Sequence, residues 1–343
     1  MPRISIDSAG GPLSVEYTIS TPKNVCAETI DSTLPTIIFL HPVHLSQAAF
    51  HHQFADPHLR RAFNLIAFDL RAHGHSAGGV KESWCVAEAV DDVVKFIDAL
   101  HLPAVHLVGV NLGSLIALEL AAVSPQHVLS MCLISPPAMD EIPAVAEGRH
   151  EIHRYWEMAY EKGGQPDEAA LYDAVAGCVQ LGSSNAHVSS SFVTALVHIG
   201  FTNALRNFSP PNLRPCELTT VRIFTDRKHP TLRGISCPVL LLYCSEDVVY
   251  PLSQTEALQC ALLDVGVKDV RLQVLQGAGY FWGRSHQSEE VNPLIHDLVV
   301  QSSSSSAAPE SPDASPVVSP FYETFVEAGW RVDEDEDEDT DQY

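Results

Sequence analysis

Short apolar runs recur along the first 300 residues, at positions 13–19, 36–40, 63–69, 105–109, 128–134, 238–244 and 270–275. Runs such as Ile37-Ile38-Phe39-Leu40 and Val239-Leu240-Leu241-Leu242 are apolar at every position. That is the pattern of strands covered on both faces of a parallel sheet. Between most of these runs the period changes from two to 3.6. From Trp84 to Leu100 the apolar residues fall on one stripe and the acids on the other side, which predicts a helix packed on one sheet face with a solvated back. Strands alternating with helices predict an α/β fold with a mostly parallel, doubly wound sheet. The alternation lapses between Pro136 and about Gly234, where Ile152–Tyr160 and Glu168–Val175 read as helices. The predicted organisation is therefore a core part over 1–137, an inserted helical unit over 138–233, a second core part over 234–301, and a tail from 302 to 343.

The tail begins with a serine run, Ser302 to Ser306, and stays rich in Pro and Ser as far as Pro320. Such a composition buries too little apolar surface to order itself, so the tail is expected to be disordered. One stretch interrupts it: Phe321, Tyr322, Phe325 and Trp330 fall within ten residues, just before the acidic run Asp333–Asp339. Apart from a solubilising role, this stretch is expected to dock on the protein's own surface or, through 321–343, on a protein partner.

Charge narrows the function classes. The net charge is −23, and residues 302–343 hold twelve acids against one base, so −11 lies in the tail and −12 in residues 1–301. Neither part has the basic footprint of a nucleic-acid binder. No charged-then-apolar leader and no apolar run near eighteen residues is seen, which predicts a cytosolic protein without membrane insertion. Eight scattered cysteines without a C-x-x-C pair read as reduced core residues. His41, His44, His51 and His52 lie close in sequence, but no acidic partner motif accompanies them. They read as pocket-lining or surface histidines, and no metal or cofactor is expected.

The chemistry-bearing motif is Gly109-Val110-Asn111-Leu112-Gly113, between the run Val105–Val108 and the helical Ser114–Ala122. Its layout matches the strand-to-helix elbow G-x-S-x-G, with Asn111 where the nucleophilic serine stands. Three further segments stand in the matching order. Ile37–Leu40 runs into His41-Pro42-Val43-His44, then Leu65–Phe68 into Asp69-Leu70-Arg71-Ala72-His73-Gly74-His75-Ser76. Finally Val239–Cys244 leads to Asp247, and Val270–Leu275 to Gly277-Ala278-Gly279-Tyr280-Phe281. With these motifs the chain, over roughly residues 12–300, resembles the α/β-hydrolase superfamily, especially capped members of the AB hydrolase-1 type that act on small esters and lactones. The resemblance implies an α/β-hydrolase fold with the helical insertion as its cap. It puts Asn111 at the nucleophile position, Asp247 at the acid position and Tyr280 at the base position. Val43 and Leu112 would offer oxyanion-binding amides, with His41 beside them.

Two departures decide the functional expectation. An amide nitrogen delocalised into its carbonyl is no nucleophile, and a phenol in place of the histidine removes the proton relay. The chain is expected to be a small-molecule-binding pseudoenzyme whose ligand is apolar or ester-like, with Tyr155, Trp156, Tyr160 and Phe192 as candidate pocket aromatics. His286 is the candidate substitute base, and Ser114 is expected to point away from the site as a packing residue. Deamidation of Asn111 to a carboxylate nucleophile is a further option, slowed by the bulky Leu112. Alternatives are an active hydrolase, lyase or isomerase with non-standard residues, or an interaction scaffold working through the tail.

Overall fold

A computed structural model describes residues 1–160, 166–183, 191–279, 285–303 and 317–331. Among these, nine strands form one sheet: β1 (Arg3–Ser8), β2 (Gly11–Ser20), β3 (Thr36–Leu40), β4 (Asn64–Phe68), β5 (Ala77–Gly78), β6 (Val105–Val110), β7 (Val128–Ile134), β8 (Val239–Cys244) and β9 (Val270–Leu275). The order is β1-β2-β4-β3-β6-β7-β8-β9, with β5 beside β2. From β4 to β9 every pairing is parallel, while β1 and β2 join antiparallel at one edge. β1 is absent from the apolar pattern because, of its six residues, only Ile6 is buried.

The period-two alternation of each central strand feeds two cores. Ile37, Phe39, Leu65 and Ala67 face one side, and Ile38, Leu40, Ile66 and Phe68 the other. The first side is covered by α1 (His51–Ala55), α2 (Pro57–Ala62) and, later in the chain, a helix over Ser285–Ser302. The second side carries α3 (Val86–Ala99) and α4 (Leu112–Val123), and then a helix over Leu252–Asp264. Burying apolar stripes on both faces at ~25 cal/mol per Å² is the main force holding this sandwich together.

Between β7 and β8 the described chain is helical: α5 (Pro143–Met158), α6 (Glu168–Ser183), α7 (Ser191–Phe208), α8 (Leu213–Glu217) and α9 (Ile223–Thr225), with a π-helical turn over Leu218–Arg222. The two later core helices are then α10 (Leu252–Asp264) and α11 (Ser285–Ser302). Buried Trp156, Leu171, Val175 and Phe192 join this insertion to the first core.

Part of the expected disordered tail departs from that picture. Ser302 still belongs to α11, and residues 317–331 pack back on the body around α12 (Tyr322–Glu327). Phe321 and Phe325 are completely buried. Phe325 stacks on Phe192 of α7 at 4.6 Å and lies 5.0 Å from the His51 ring of α1. Gly329, at φ 101°, ends α12 in a Schellman turn, with Trp330 N donating to Phe325 O and Gly329 N to Val326 O. The turn returns Trp330 to within 4.9 Å of His51. A partner reaching these aromatics would have to displace the segment from the protein's own groove.

Candidate active site and the cavity above it

β6 ends at Val110 and α4 begins at Leu112, so Asn111 alone makes the turn, at φ 49° and ψ −106°. Asn tolerates positive φ better than residues other than Gly, which suits it to this position. Its N–H donates to Ile134 O at 3.1 Å, and its carbonyl accepts from Leu115 N. The flanking glycines are steric requirements. A Cβ on Gly113 would fall inside the van der Waals shell of Leu40 O, and one on Gly109 would meet the Gly113 backbone. Ser114 holds the elbow from behind, donating to Gly109 O at 2.6 Å and accepting from Ile134 N at 3.2 Å. It is a packing residue, as its helical position predicts. The Asn111 side chain is 2% exposed, and its Oδ1 has no hydrogen-bond partner.

Asp247 follows β8 in an Asx turn. Its Oδ1 accepts from Val249 N at 2.8 Å and Tyr250 N at 3.1 Å, while Oδ2 is buried without a partner. Burial raises the carboxyl above its ordinary range, and the two backbone donors oppose that shift. Ser135 stands beside it, yet its Oγ completes no hydrogen bond. Glu246 N donates to Ala278 O, so the segment leading towards residue 280 is pinned to the acid's turn. Tyr280 and the side chain of His286 lie outside the described residues. The strand ends carrying Asn111, Ser135 and Asp247 are linked through Asn111 N to Ile134 O and Ser135 N to Leu242 O.

The loop after β3 corrects one expectation. His41 is fully buried, with Nδ1 donating to Pro42 O at 2.8 Å and Nε2 accepting from Leu70 N at 3.0 Å. Burial, with the nearby His73, pushes it down to about 3. Both ring nitrogens are spent on joining two loops, so His41 has none to offer a ligand. Val43 is buried and Leu112 opens α4, where first-turn amides lack an intrahelical acceptor. Asp69 and Arg71 also staple loops: Asp69 accepts from Gln47 N and His75 N, and Arg71 makes a two-pronged pair with Asp92.

Above these loops, beneath α5, α6 and the end of α7, lies a cavity of about 220 Å³. Val43 closes it on the oxyanion-loop side, and Val248 and Val249 on the Asp247 side. Neither Asn111 nor Asp247 is itself in its wall: the cavity meets the Asp247 turn through Val248 and Val249, while Val110 and Leu112, which flank Asn111, lie outside the lining. The wall of α5 is one stripe at helical spacing: Val145, Gly148, Arg149, Ile152, His153 and Trp156. Of the aromatics expected here, Trp156 lines the cavity, Tyr155 is exposed, Tyr160 bonds Ser209, and Phe192 is taken up by Phe325. Two cysteines in the wall, Cys178 and Cys216, have thiols pushed up to about 12 by burial, which disfavours their thiolates. His44 also faces this cavity, whereas His51 and His52 pack among Phe192, Phe325 and Trp330. For a metal, Glu16, Asp69 and His75 bring ligand atoms within 4.8 Å of one another. Both Asp69 oxygens already accept backbone amides, and Glu16 is shared by Arg3 and His75, so the group works as a loop staple.

The chain belongs to the alpha/beta hydrolase fold family, whose model matches residues 35–279. Two solved structures that superimpose on it are a thermophilic esterase from Thermogutta terrifontis and the enol-lactonase from Burkholderia xenovorans. The first has a TM-score of 0.68 at 16% identity, covering 88% of this chain and 99% of that one. The second has 0.66 at 15%, covering 87% and 100%. At these identities the likeness shows the fold. In sequence, the RutD protein of Variovorax paradoxus, which carries the name of a carbamate hydrolase, is 36% identical over 77 residues, 22% of this chain and 29% of that protein. The chain spans about a third of the length of the curated relatives it matches first. Among the described residues, no helix is long and apolar enough to cross a membrane.

Proposed function

We propose that this family member binds a small, largely apolar or ester-like molecule in the cavity beneath its helical insertion and does not hydrolyse it by the serine-triad route. The observation that carries the reading is Asn111, held in the strained elbow with its Oδ1 buried and unpartnered. An amide there cannot form the acyl-enzyme. With Tyr280 at the base position, a phenol that keeps its proton near neutral pH replaces the imidazole relay. Val43, in the cavity wall, offers an oxyanion-type amide to a ligand oxygen, while Leu112, Asn111 and Asp247 lie outside that wall, the last two with a buried lone oxygen each. Esters, lactones and carbamates, the substrate classes named for the relatives, share this combination of apolar body and acceptor oxygen.

A second reading is favoured by one observation, the buried unpartnered Oδ2 of Asp247, whose raised pKa suits a general base for water or another proton-transfer step. The two part on Asp247→Ala. Turnover of short and medium acyl esters is expected to be absent in the wild type and in Asp247→Ala alike, with only ligand affinity changed. Wild-type turnover abolished by Asp247→Ala would establish the second reading instead.

A further inference from the structure

The most telling unassigned group in the cavity is an imidazole of the helical insertion. His153 is 7% exposed and sits in the α5 stripe that walls the cavity, and neither Nδ1 nor Nε2 has a hydrogen-bond partner. Its nearest charged neighbour is Glu157, one helical turn on, at 3.5 Å from Nε2 and half exposed. A buried donor and a buried acceptor left together without partners are costly unless something else satisfies them. The cavity wall that His153 shares includes the largely apolar Ile152, Trp156, Val175 and Phe208, with Thr220, Cys178 and Cys216.

We propose that the occupant of this cavity is an uncharged molecule with a hydrogen-bonding oxygen on an apolar body, and that His153 is the residue that recognises that oxygen. The proposal rests on the ligand-binding reading above. Three features exclude a carboxylate as the preferred ligand. Burial disfavours the charged form of His153, with Glu157 and Glu217 pulling the other way, and takes His44 down to about 3. Arg149, the cation in the described wall, is already committed: it lies over the Phe224 ring at 3.7 Å, donates to Tyr250 Oη at 3.0 Å and pairs with Glu141 at 3.6 Å. An anion desolvated in so apolar a wall would lack a free counter-charge. A neutral imidazole, by contrast, offers one N–H to a carbonyl and one lone pair to a hydroxyl.

The test uses three probes of one shape, acetophenone, cumene and benzoate, titrated by calorimetry into the full chain, its His153→Phe and His153→Gln variants, and Gly148→Leu. A Cβ at Gly148 would meet no neighbouring atom within 4 Å, and Gly148 is part of the cavity wall, so a leucine there starts from open space and reduces the cavity. Wild type is expected to bind acetophenone tighter than cumene and benzoate. His153→Phe should weaken acetophenone about five- to tenfold while leaving cumene unchanged. His153→Gln, with a donor and an acceptor, should restore most of the difference, and the His153 ring nitrogens should shift on adding acetophenone. Gly148→Leu should remove binding of every probe. Equal binding of acetophenone and cumene, untouched by His153→Phe but lost in Gly148→Leu, would overturn the role of His153 and leave the cavity reading standing. Benzoate binding tighter than acetophenone would overturn the uncharged class. Absence of all three from the wild type would overturn the cavity reading and this inference together.

Discussion

Asn111 and its neighbours show how much one motif settles by sterics and how much it leaves open. The G-x-N-x-G spacing was legible because each glycine answers a backbone contact: Gly113 touches Leu40, and Gly109 touches Gly113. Gly113→Ala should therefore cost at least ~2 kcal/mol in urea unfolding, since the obstacle is backbone and cannot rotate away. At residue 111 the demand is conformational, so Asn111→Gly should be ~1 kcal/mol more stable than Asn111→Ala in the same assay. Equal stability of the two would mean that the positive φ carries no strain. Other residues gave no such signal. His41 shares a motif with Val43, but the sequence cannot tell that both its nitrogens serve neighbouring backbone. His153 lay within a recognised helix, and only the i, i+3, i+4 stripe from Val145 to Trp156 could have marked it as a wall residue.

At the scale of elements, strands buried on both faces were legible because burial leaves them almost continuously apolar, as in β3 after Thr36 and in β8. The edge strand β1 was not, because a single buried residue makes no pattern. Nor was the destination of the aromatic segment Phe321–Trp330. Its partners, His51, Phe54 and Phe192, lie over 120 residues away in the chain. The segment straps the insertion, through Phe192 and Ser191, to α1 of the core. Phe325→Ala should destabilise the protein by ~3–5 kcal/mol, as expected for a fully buried aromatic. Removing residues 317–343 should lower the melting temperature by several degrees and expose α7 to protease. A truncated protein with unchanged melting and protease resistance would show that the strap adds nothing to stability.

For the whole molecule, acid is the predicted weakness. Burial lowers His41, His44 and His51 to about 3, and His52, His73 and His106 to about 4. Unfolding returns them to about 6.5, so the unfolded chain takes up more protons and stability must fall with pH. Each histidine's contribution is present in full above about pH 6.5 and falls by up to ~1.4 kcal/mol per pH unit on the way down to about 4. Asp69 opposes this, because burial raises it to about 7 and its stabilising contribution is lost as pH rises, and the buried Asp247 and half-buried Glu119, also raised, act in the same sense, but the six histidines outnumber them. Urea midpoints should thus drop steeply from pH 7 to pH 5, with several protons taken up on unfolding. A flat profile would mean that these rings are hydrated in the native state.

Neither fold nor acid sensitivity distinguishes a ligand binder from an unconventional enzyme, because both would keep the same elbow, Asp247 turn and cavity. The residues at positions 111 and 280 distinguish them, through what each reading asks those side chains to do. The decisive measurement is turnover of short and medium acyl esters by the wild type, by Asn111→Ala and by the double substitution Asn111→Ser with Tyr280→His. The wild type and Asn111→Ala should both be inert and the double variant should hydrolyse esters, because on the proposed reading the elbow, Asp247 and the oxyanion-type amides lack only a nucleophile and its base. Turnover by the wild type that Asn111→Ala abolishes would contradict it and make Asn111 itself part of a working mechanism.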